Sequence, residues 1–220
     1  MKNLISFFLK AGEVKRLKQR GLVLRGIKDP ATVGGHSFRE ALMAWVLGKI
    51  GGVGLDENRL IKLTLSHDLV AGYAGDITPY EPLIWEHNEK NLKKIFVKWI
   101  RLSQQEKEHF YRIQREREQK ALQELGSLLP NPLRAEIKAL WKEYKEGTSR
   151  EGRFIQQLDM LENFLQSIEY WRVDKKFPIE SWWQQMKELI NDPLLVSLLS
   201  QIDNVLYKSM LSAQKKTPGK

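Results

Sequence analysis

One stretch of the chain decides the fold: FIQQLDMLENFLQSI, residues 154–168. Apolar side chains follow one another there in steps of four, three, four and three residues, at Phe154, Leu158, Leu161, Leu165 and Ile168. This spacing follows the 3.6-residue period of an α-helix and predicts a long helix with one buried stripe. Asp159 interrupts the stripe, so the same helix carries a carboxylate beside the predicted core.

Helical spacing continues toward the N-terminus, whereas runs with the two-residue period of a strand are hard to find. The pattern predicts a basic helix over residues 2–19, a nearly all-apolar buried helix from about His36 to Gly51, a third helix from about Asp56, and a charged helix over 104–126. The sequence therefore predicts an all-α fold.

The composition limits the chemistry that the chain can perform. It has 220 residues, 42% of them apolar, and a formal net charge of +9. The charge suits nucleic acid, anionic lipid or small phosphorylated ligands without choosing among them. Because there is no cysteine, disulfides, thiolate metal sites and a cysteine nucleophile are excluded. No stretch approaches the roughly 18 uncharged apolar residues of a membrane span, so we expect a soluble, cytoplasmic protein without membrane contact.

The apolar pattern also indicates how the chain is divided. We predict a main domain over residues 1–171, with an insertion at 82–103 that carries a lysine cluster and several aromatic residues. A C-terminal helical extension is predicted over 172–212, and a disordered tail over 213–220.

Histidine and aspartate gather at three helices. His36 begins the buried helix, His67-Asp68 closes the next one beside a glycine-rich loop, and Asp159 interrupts the apolar stripe. Two imidazoles and two carboxylates make a mixed nitrogen and oxygen site for one divalent ion: Mn, Co, Fe, Ni, Zn or Mg. The same residues are open to a plainer interpretation, in which the histidines are caps or core groups and Asp159 is a paired or exposed acid.

Several motifs, taken in order, support the interpretation of these residues as a metal site. They are Arg20-(x)4-Arg25-Gly26-Ile27, Val33-Gly34-Gly35-His36-Ser37-Phe38-Arg39, His67-Asp68, Gly75-Asp76-Ile77-Thr78-Pro79 and Asp159-Met160-Leu161-Glu162. Their order and spacing resemble the HD-domain phosphohydrolases, and within them the 5′-deoxynucleotidase-like branch. The resemblance spans about residues 4–171.

The resemblance implies a fold, a cofactor and an activity. The fold is a helical HD bundle, often a homodimer, and the metal is held by His36, His67, Asp68 and Asp159. The activity is metal-dependent removal of phosphate from nucleoside 5′-monophosphates, with deoxynucleotides preferred in the best-known members. A divalent ion fits this chemistry because it polarises a phosphoryl oxygen and generates a nucleophile from water near neutral pH.

The resemblance also implies roles around the metal. Arg20 matches the arginine that orients phosphate, and a guanidinium can hold two phosphate oxygens at once. Asp76 matches a substrate-loop carboxylate that can accept a hydrogen bond from a sugar hydroxyl. The resemblance therefore assigns Arg20, Asp68 and Asp76 to catalysis, and a second set to substrate binding: Arg20, Asp76, Ile77, Thr78 and Pro79.

The chain departs from the family pattern at positions that bear on activity. The family normally carries glutamate three residues after the His-Asp pair, where this chain has Ala71, and a methyl group cannot move a proton. Gly35 occupies a position where the family usually has glutamate. Gly21 occupies a position where some nucleotidases have an aromatic residue. Losing a positioned general acid or base costs about 10²–10⁴-fold in rate. The rival hypothesis is a catalytically impaired HD protein that binds a nucleotide or partner as a sensor.

A third hypothesis, nucleic-acid binding, rests on the basic residues within 1–30 and 86–120. RNA-binding proteins usually add aromatic stacking platforms or a known module, and the sequence shows no such motif. We therefore expect a small phosphorylated partner, a nucleoside monophosphate, and not a nucleic acid.

We predict that Ala71→Glu accelerates hydrolysis. Residues three or four apart on a helix share a face, so the new carboxylate is placed beside His67 and Asp68. We expect kcat to rise by roughly 10²-fold while the inhibition constant of inorganic phosphate stays unchanged, since a general acid or base acts in the transition state. Turnover by the parent protein at ordinary enzymatic rates, of order 1–10³ per second, would contradict the premise.

Overall fold

The computed structural model describes residues 1–51, 54–78, 81 and 101–215. Within these residues the chain forms ten α-helices, and Lys18 and Thr32 make an isolated β-bridge in place of a sheet. The helices are α1 (Lys2–Ala11), α2 (Arg20–Leu24), α3 (Val33–Gly51), α4 (Glu57–His67), α5 (Ala71–Ala74), α6 (Gln104–Ser127), α7 (Asn131–Glu146), α8 (Arg150–Val173), α9 (Glu180–Leu189) and α10 (Pro193–Lys215). The all-α prediction is confirmed.

Helix α8 lies at the centre of the bundle. It packs against α3, α4, α7, α9 and α10, and its side chains Ile155, Leu158, Leu161 and Phe164 are completely buried. Most of the predicted stripe belongs to this core, and Leu165 packs against it while partly exposed. Because α8 is covered on several sides, the groups that it carries are held rigidly.

The N-terminal region differs from the single helix predicted over residues 2–19. Helix α1 ends at Ala11, a 3-10 turn covers Gly12–Lys15, and α2 begins only at Arg20. Glycine weakens a helix at this point, and the turn buries Val14 in a small cluster with Val33 and Ala71. The chain bends so that this apolar contact forms beside the first turn of α3.

Capping groups fix where the site-bearing helices begin. The Asp56 carboxylate accepts a hydrogen bond from the Arg59 amide at 3.2 Å and starts α4. Gly147 ends α7 in the left-handed conformation, with φ of +57°. The Ser149 hydroxyl then accepts from the Gly152 amide at 2.8 Å and starts α8. Helix α4 ends at His67, and the one-turn helix α5 follows.

The predicted division into domains stays a prediction. Helix α8 runs through the proposed boundary at residue 171, and α9 and α10 pack on it. Of the predicted insertion at 82–103, residues 82–100 lie outside the described residues, as do residues 216–220 of the predicted tail. In the part of the chain that is described, no helix is long and apolar enough to cross a membrane. The cytoplasmic location stays a prediction.

Candidate metal centre and adjoining cavity

His36 lies in the first turn of α3 with its ring buried between α3 and α8. Its Nδ1 contacts the carboxylate of Glu162, while its Nε2 lies 3.1 Å from Asp159 Oδ1 and 3.8 Å from Asp68 Oδ2. Burial by itself lowers the pKa of His36. The hydrogen bonds and negative charges of Asp159 and Glu162 outweigh it and hold that pKa well above the ordinary value.

His67 and Asp68 end helix α4 beside this ring. His67 Nδ1 lies 3.2 Å from Asp68 Oδ1, and the imidazole stacks on the Tyr144 ring with centroids 4.3 Å apart. The Ser37 hydroxyl lies 3.1 Å from Asp68 Oδ2. Although burial opposes both shifts, the neighbouring carboxylates raise the pKa of His67, and the His67 charge lowers the pKa of Asp68.

Asp159 projects from α8 into the same space, with hydrogen bonds to both of its oxygens. The Tyr144 hydroxyl donates to Oδ2 at 2.7 Å, and the Asn163 amide donates to Oδ1 at 2.9 Å. Gln19 in turn donates to Asn163 at 3.0 Å. Burial opposes ionisation of Asp159, but the hydrogen bond and charge of His36 keep its pKa below the ordinary value. The carboxylate is therefore ionised and fixed in direction.

Glu40 belongs to this cluster and is absent from the sequence prediction. It follows His36 by one helical turn, is completely buried, and places Oε2 2.8 Å from His67 Nε2 and 3.8 Å from His36 Nε2. Burial raises the pKa of Glu40 to about 7, against the lowering effect of His67. The available signal is its position: a carboxylate four residues after His36 that directly precedes the apolar run 41–47.

Three helices thus bring all four predicted metal ligands into one buried cluster. The carboxylates of Glu40, Asp68 and Asp159 each have an oxygen within 3.8 Å of His36 Nε2. Imidazole nitrogens and carboxylate oxygens in this combination are ligands for first-row divalent ions and for magnesium. The donor set therefore fits a divalent metal ion, and its chemistry does not select which one.

A cavity of about 310 Å³ opens onto the cluster. Its volume is at the lower end of the range for small-molecule sites. Besides the residues of the cluster, the walls include Gly21, Arg25, Ala71, Asp76, Ile77, Thr78, Gln114, Lys145, Trp182 and Gln185. The predicted substrate-loop residues Asp76, Ile77 and Thr78 therefore line this cavity, while Pro79 lies outside the described residues.

The backbone amide of Arg20 contacts the side chain of Asp76. The Arg20 amide donates to Asp76 Oδ2 at 2.5 Å, and the Arg20 guanidinium pairs with Glu81, with Nε 3.1 Å from Oε1. Burial raises the pKa of Asp76 to about 6, against the lowering effect of the Arg20 amide. Arg20 is not among the residues that line the cavity. Arg25 does line it, and its guanidinium lies 4.6 Å from the centre of the Trp182 ring.

Ala71 lines the cavity at the start of α5, and its amide donates to the Asp68 carbonyl at 3.0 Å. A methyl group therefore occupies the position where the family resemblance expects a carboxylate. One of the wall residues to which the sequence gives no role is Trp182 on α9, whose indole Nε1 is buried without a hydrogen-bond partner among the described residues. Nothing local in the sequence connects α9 with residues near His67.

Comparisons with known proteins agree with this arrangement. A family model described as "HD domain" matches residues 11–196. The 5′-deoxynucleotidase HDDC2 of Homo sapiens is 30% identical over 203 residues, covering 92% of this chain and 85% of that protein. The Danio rerio protein of the same name is 28% identical over 218 residues, covering 99% and 94%.

Solved structures share the fold at lower identity. A conserved hypothetical protein from Pyrococcus furiosus is 22% identical, with a TM-score of 0.65 and coverage of 91% of this chain and 99% of that one. A protein described as a predicted metal-dependent phosphohydrolase, from Magnetospirillum magnetotacticum, is 21% identical, with a TM-score of 0.62 and coverage of 94% and 96%. Since the family model spans most of the sequence, the chain belongs to the HD-domain family, in which the 5′-deoxynucleotidases are its relatives.

Proposed function

We propose that the protein is a divalent-metal-dependent phosphohydrolase that removes phosphate from nucleoside 5′-monophosphates, including deoxynucleotides. The observation that carries the proposal is the buried cluster of His36, His67, Asp68 and Asp159 at the base of a cavity. The 30% identity to a 5′-deoxynucleotidase supports the same substrate class.

His36, His67, Asp68 and Asp159 would hold the ion. When bound, a divalent ion polarises a phosphoryl oxygen and makes water a nucleophile near neutral pH. The protein's part is to keep the ligands in place: Glu162 holds Nδ1 of His36, so Nε2 points inward, and Tyr144 fixes Asp159. Hydrogen bonds of this kind orient metal ligands and increase their basicity.

The phosphate requires a cation near the cluster. We propose Arg20 for this role, as the resemblance implies, and add Arg25 because it already lines the cavity. To bind the phosphate, the Arg20 guanidinium must leave its ion pair with Glu81. The Arg20 side chain is 38% exposed. An ion pair so close to solvent is weak, so the exchange costs little. Asp76 is positioned to accept a sugar hydroxyl, and Ile77, Thr78 and Pro79 would complete this wall.

One observation favours the rival function, a sensor that binds nucleotide without rapid turnover. Ala71 lines the cavity at the position where the family resemblance expects a proton carrier. A cluster that binds metal and phosphate but lacks this carboxylate retains affinity while losing rate.

We predict that the purified protein releases inorganic phosphate from nucleoside 5′-monophosphates only with a divalent ion present. The test is a screen of Mn, Co, Fe, Ni, Zn and Mg against ribo- and deoxynucleoside monophosphates and generic phosphoesters. Asp159→Ala should abolish release, because it removes a proposed ligand. Its fold should persist, since the apolar side chains around it fill the core.

The matched control is Glu143→Gln, because Glu143 is a buried carboxylate that pairs with Arg59 away from the cluster. Phosphate release without added metal after chelation would overturn the proposal. If the parent and Ala71→Glu both bind nucleotide without releasing phosphate under any metal, the sensor function replaces the hydrolase function.

We predict that metal binding releases protons at neutral pH. The neighbouring carboxylates raise the pKa of His36 and of His67 in the metal-free protein, so each ring keeps its second proton to a higher pH than an ordinary imidazole does. Because a metal ion binds only the deprotonated ring nitrogen, affinity should increase as the pH rises from about 6 to 8. Calorimetry in two buffers with different ionisation enthalpies measures the protons released; a pH-independent affinity with no release would contradict the assignment.

We also propose that α3 forms a homodimer interface. On the side of α3 away from His36 and Glu40, the apolar residues Phe38, Leu42 and Trp45 are 72%, 46% and 54% exposed. Their spacing of four and three residues places them in one stripe. A contiguous apolar stripe on a helix surface is typical of an interaction site, and a second copy of the same stripe matches its apolar character.

We predict that Trp45→Glu shifts the protein from dimer to monomer in multi-angle light scattering, because a charge cannot be buried in an apolar interface. The control is Val173→Glu, at an isolated and 90% exposed position at the end of α8. A monomeric parent at micromolar concentration would contradict the dimer. A Trp45→Glu variant that stays dimeric would place the interface elsewhere.

A further inference from the structure

We propose that Glu40 is a fifth protein ligand of the divalent ion, which makes the donor set two imidazoles and three carboxylates. The inference rests on the proposed function, since it concerns the same metal ion. It adds a residue that neither the motifs nor the family resemblance includes.

The distances allow one ion to contact Glu40 and both histidines. One donor atom from each of His36, Glu40 and His67 lies within 4.8 Å of the other two. Metal bonds to imidazole and carboxylate are about 2.0–2.2 Å long, so two ligands on opposite sides of an ion are separated by about 4–4.4 Å. Small side-chain movements would therefore place all three atoms around a single ion.

Glu40 has an unmet requirement that a cation would satisfy. Its side chain is completely buried, and its Oε1 has no hydrogen-bond partner among the residues that the structure describes. Other buried glutamates of the fold are supplied with donors: Glu162 by Arg39, and Glu143 by Arg59. Burying a carboxylate oxygen without a donor is unfavourable, and a bound cation removes that cost.

Relative to His36, Glu40 has the position of a ligand and not that of a group that only orients the histidine. Glu162 is an orienting group, because it contacts Nδ1 of His36, the nitrogen that faces away from the cluster. Glu40 instead lies near Nε2 of His36, the nitrogen that also faces Asp68 and Asp159. Glu40 is thus on the side of the ring where the ion would lie.

A third carboxylate has a consequence for metal choice. Carboxylate oxygens suit hard ions such as Mg²⁺ and Mn²⁺, whereas imidazole suits Ni²⁺ and Zn²⁺. Removing the Glu40 carboxylate should therefore reduce the affinity for Mn²⁺ more than the affinity for Ni²⁺. If Glu40 only held His67 in place, its removal would reduce the affinity for both ions by the same factor.

The experiment measures dissociation constants of Mn²⁺ and Ni²⁺ by competition with a chelator, in the parent, Glu40→Gln and Glu162→Gln. Loss of an orienting carboxylate costs about 10–100-fold in metal affinity. For Glu162→Gln we expect a loss in that range that is equal for both ions. For Glu40→Gln we expect a loss of about 100-fold or more for Mn²⁺, and a loss at least about tenfold smaller for Ni²⁺.

Thermal melting of the metal-free proteins checks that each variant is folded. If Glu40→Gln does not fold, Glu40→Met, which has similar volume and no buried charge, decides by the same criteria. Unchanged Mn²⁺ affinity, or equal losses for Mn²⁺ and Ni²⁺, would overturn the ligand role of Glu40 while leaving the proposed function standing. A parent that binds neither ion would overturn the proposed function itself.

Discussion

Holding two buried imidazoles together with four carboxylates, two of them fully buried and two partly exposed, is the constraint on which the rest of the structure depends. A buried charge is tolerated only when it is paired and hydrogen-bonded, so each group of the cluster requires its own partners. This explains why Arg39 reaches from α3 to Glu162 and Glu169 on α8, and why Tyr144 and Asn163 enclose Asp159. The cluster holds α3, α4, α7 and α8 together and also contains the chemistry.

Ala71 and Glu40 both shape the charge distribution around the cluster, from different sides. Ala71 places a methyl group on the cavity wall, where a ligand would approach. Glu40 places a carboxylate in the interior and does not line the cavity, so it cannot stand in for a group at residue 71. The two positions therefore act on different properties: Ala71 on proton transfer to a bound ligand, and Glu40 on the ion beneath it.

The all-α fold and the proximity of the four predicted metal ligands can be anticipated from the sequence, because both depend on local pattern: the stripe of α8, and motifs in a fixed order. The sequence pattern fails at Glu40 for a physical reason. Helix α3 is apolar on its buried side and also on its exposed side, at Phe38, Leu42 and Trp45, so hydropathy does not reveal which face enters the core. The contact between Arg25 and Trp182 is not predictable in this way, because it depends on α9 packing against residues more than a hundred positions earlier.

The contribution of α9 to the cavity separates the wall from the charged cluster along the chain. All the proposed metal ligands lie between residues 36 and 159, whereas Trp182 and Gln185 belong to a later helix. Substitutions in α9 can therefore change the shape of the cavity while the donor set of the cluster stays the same.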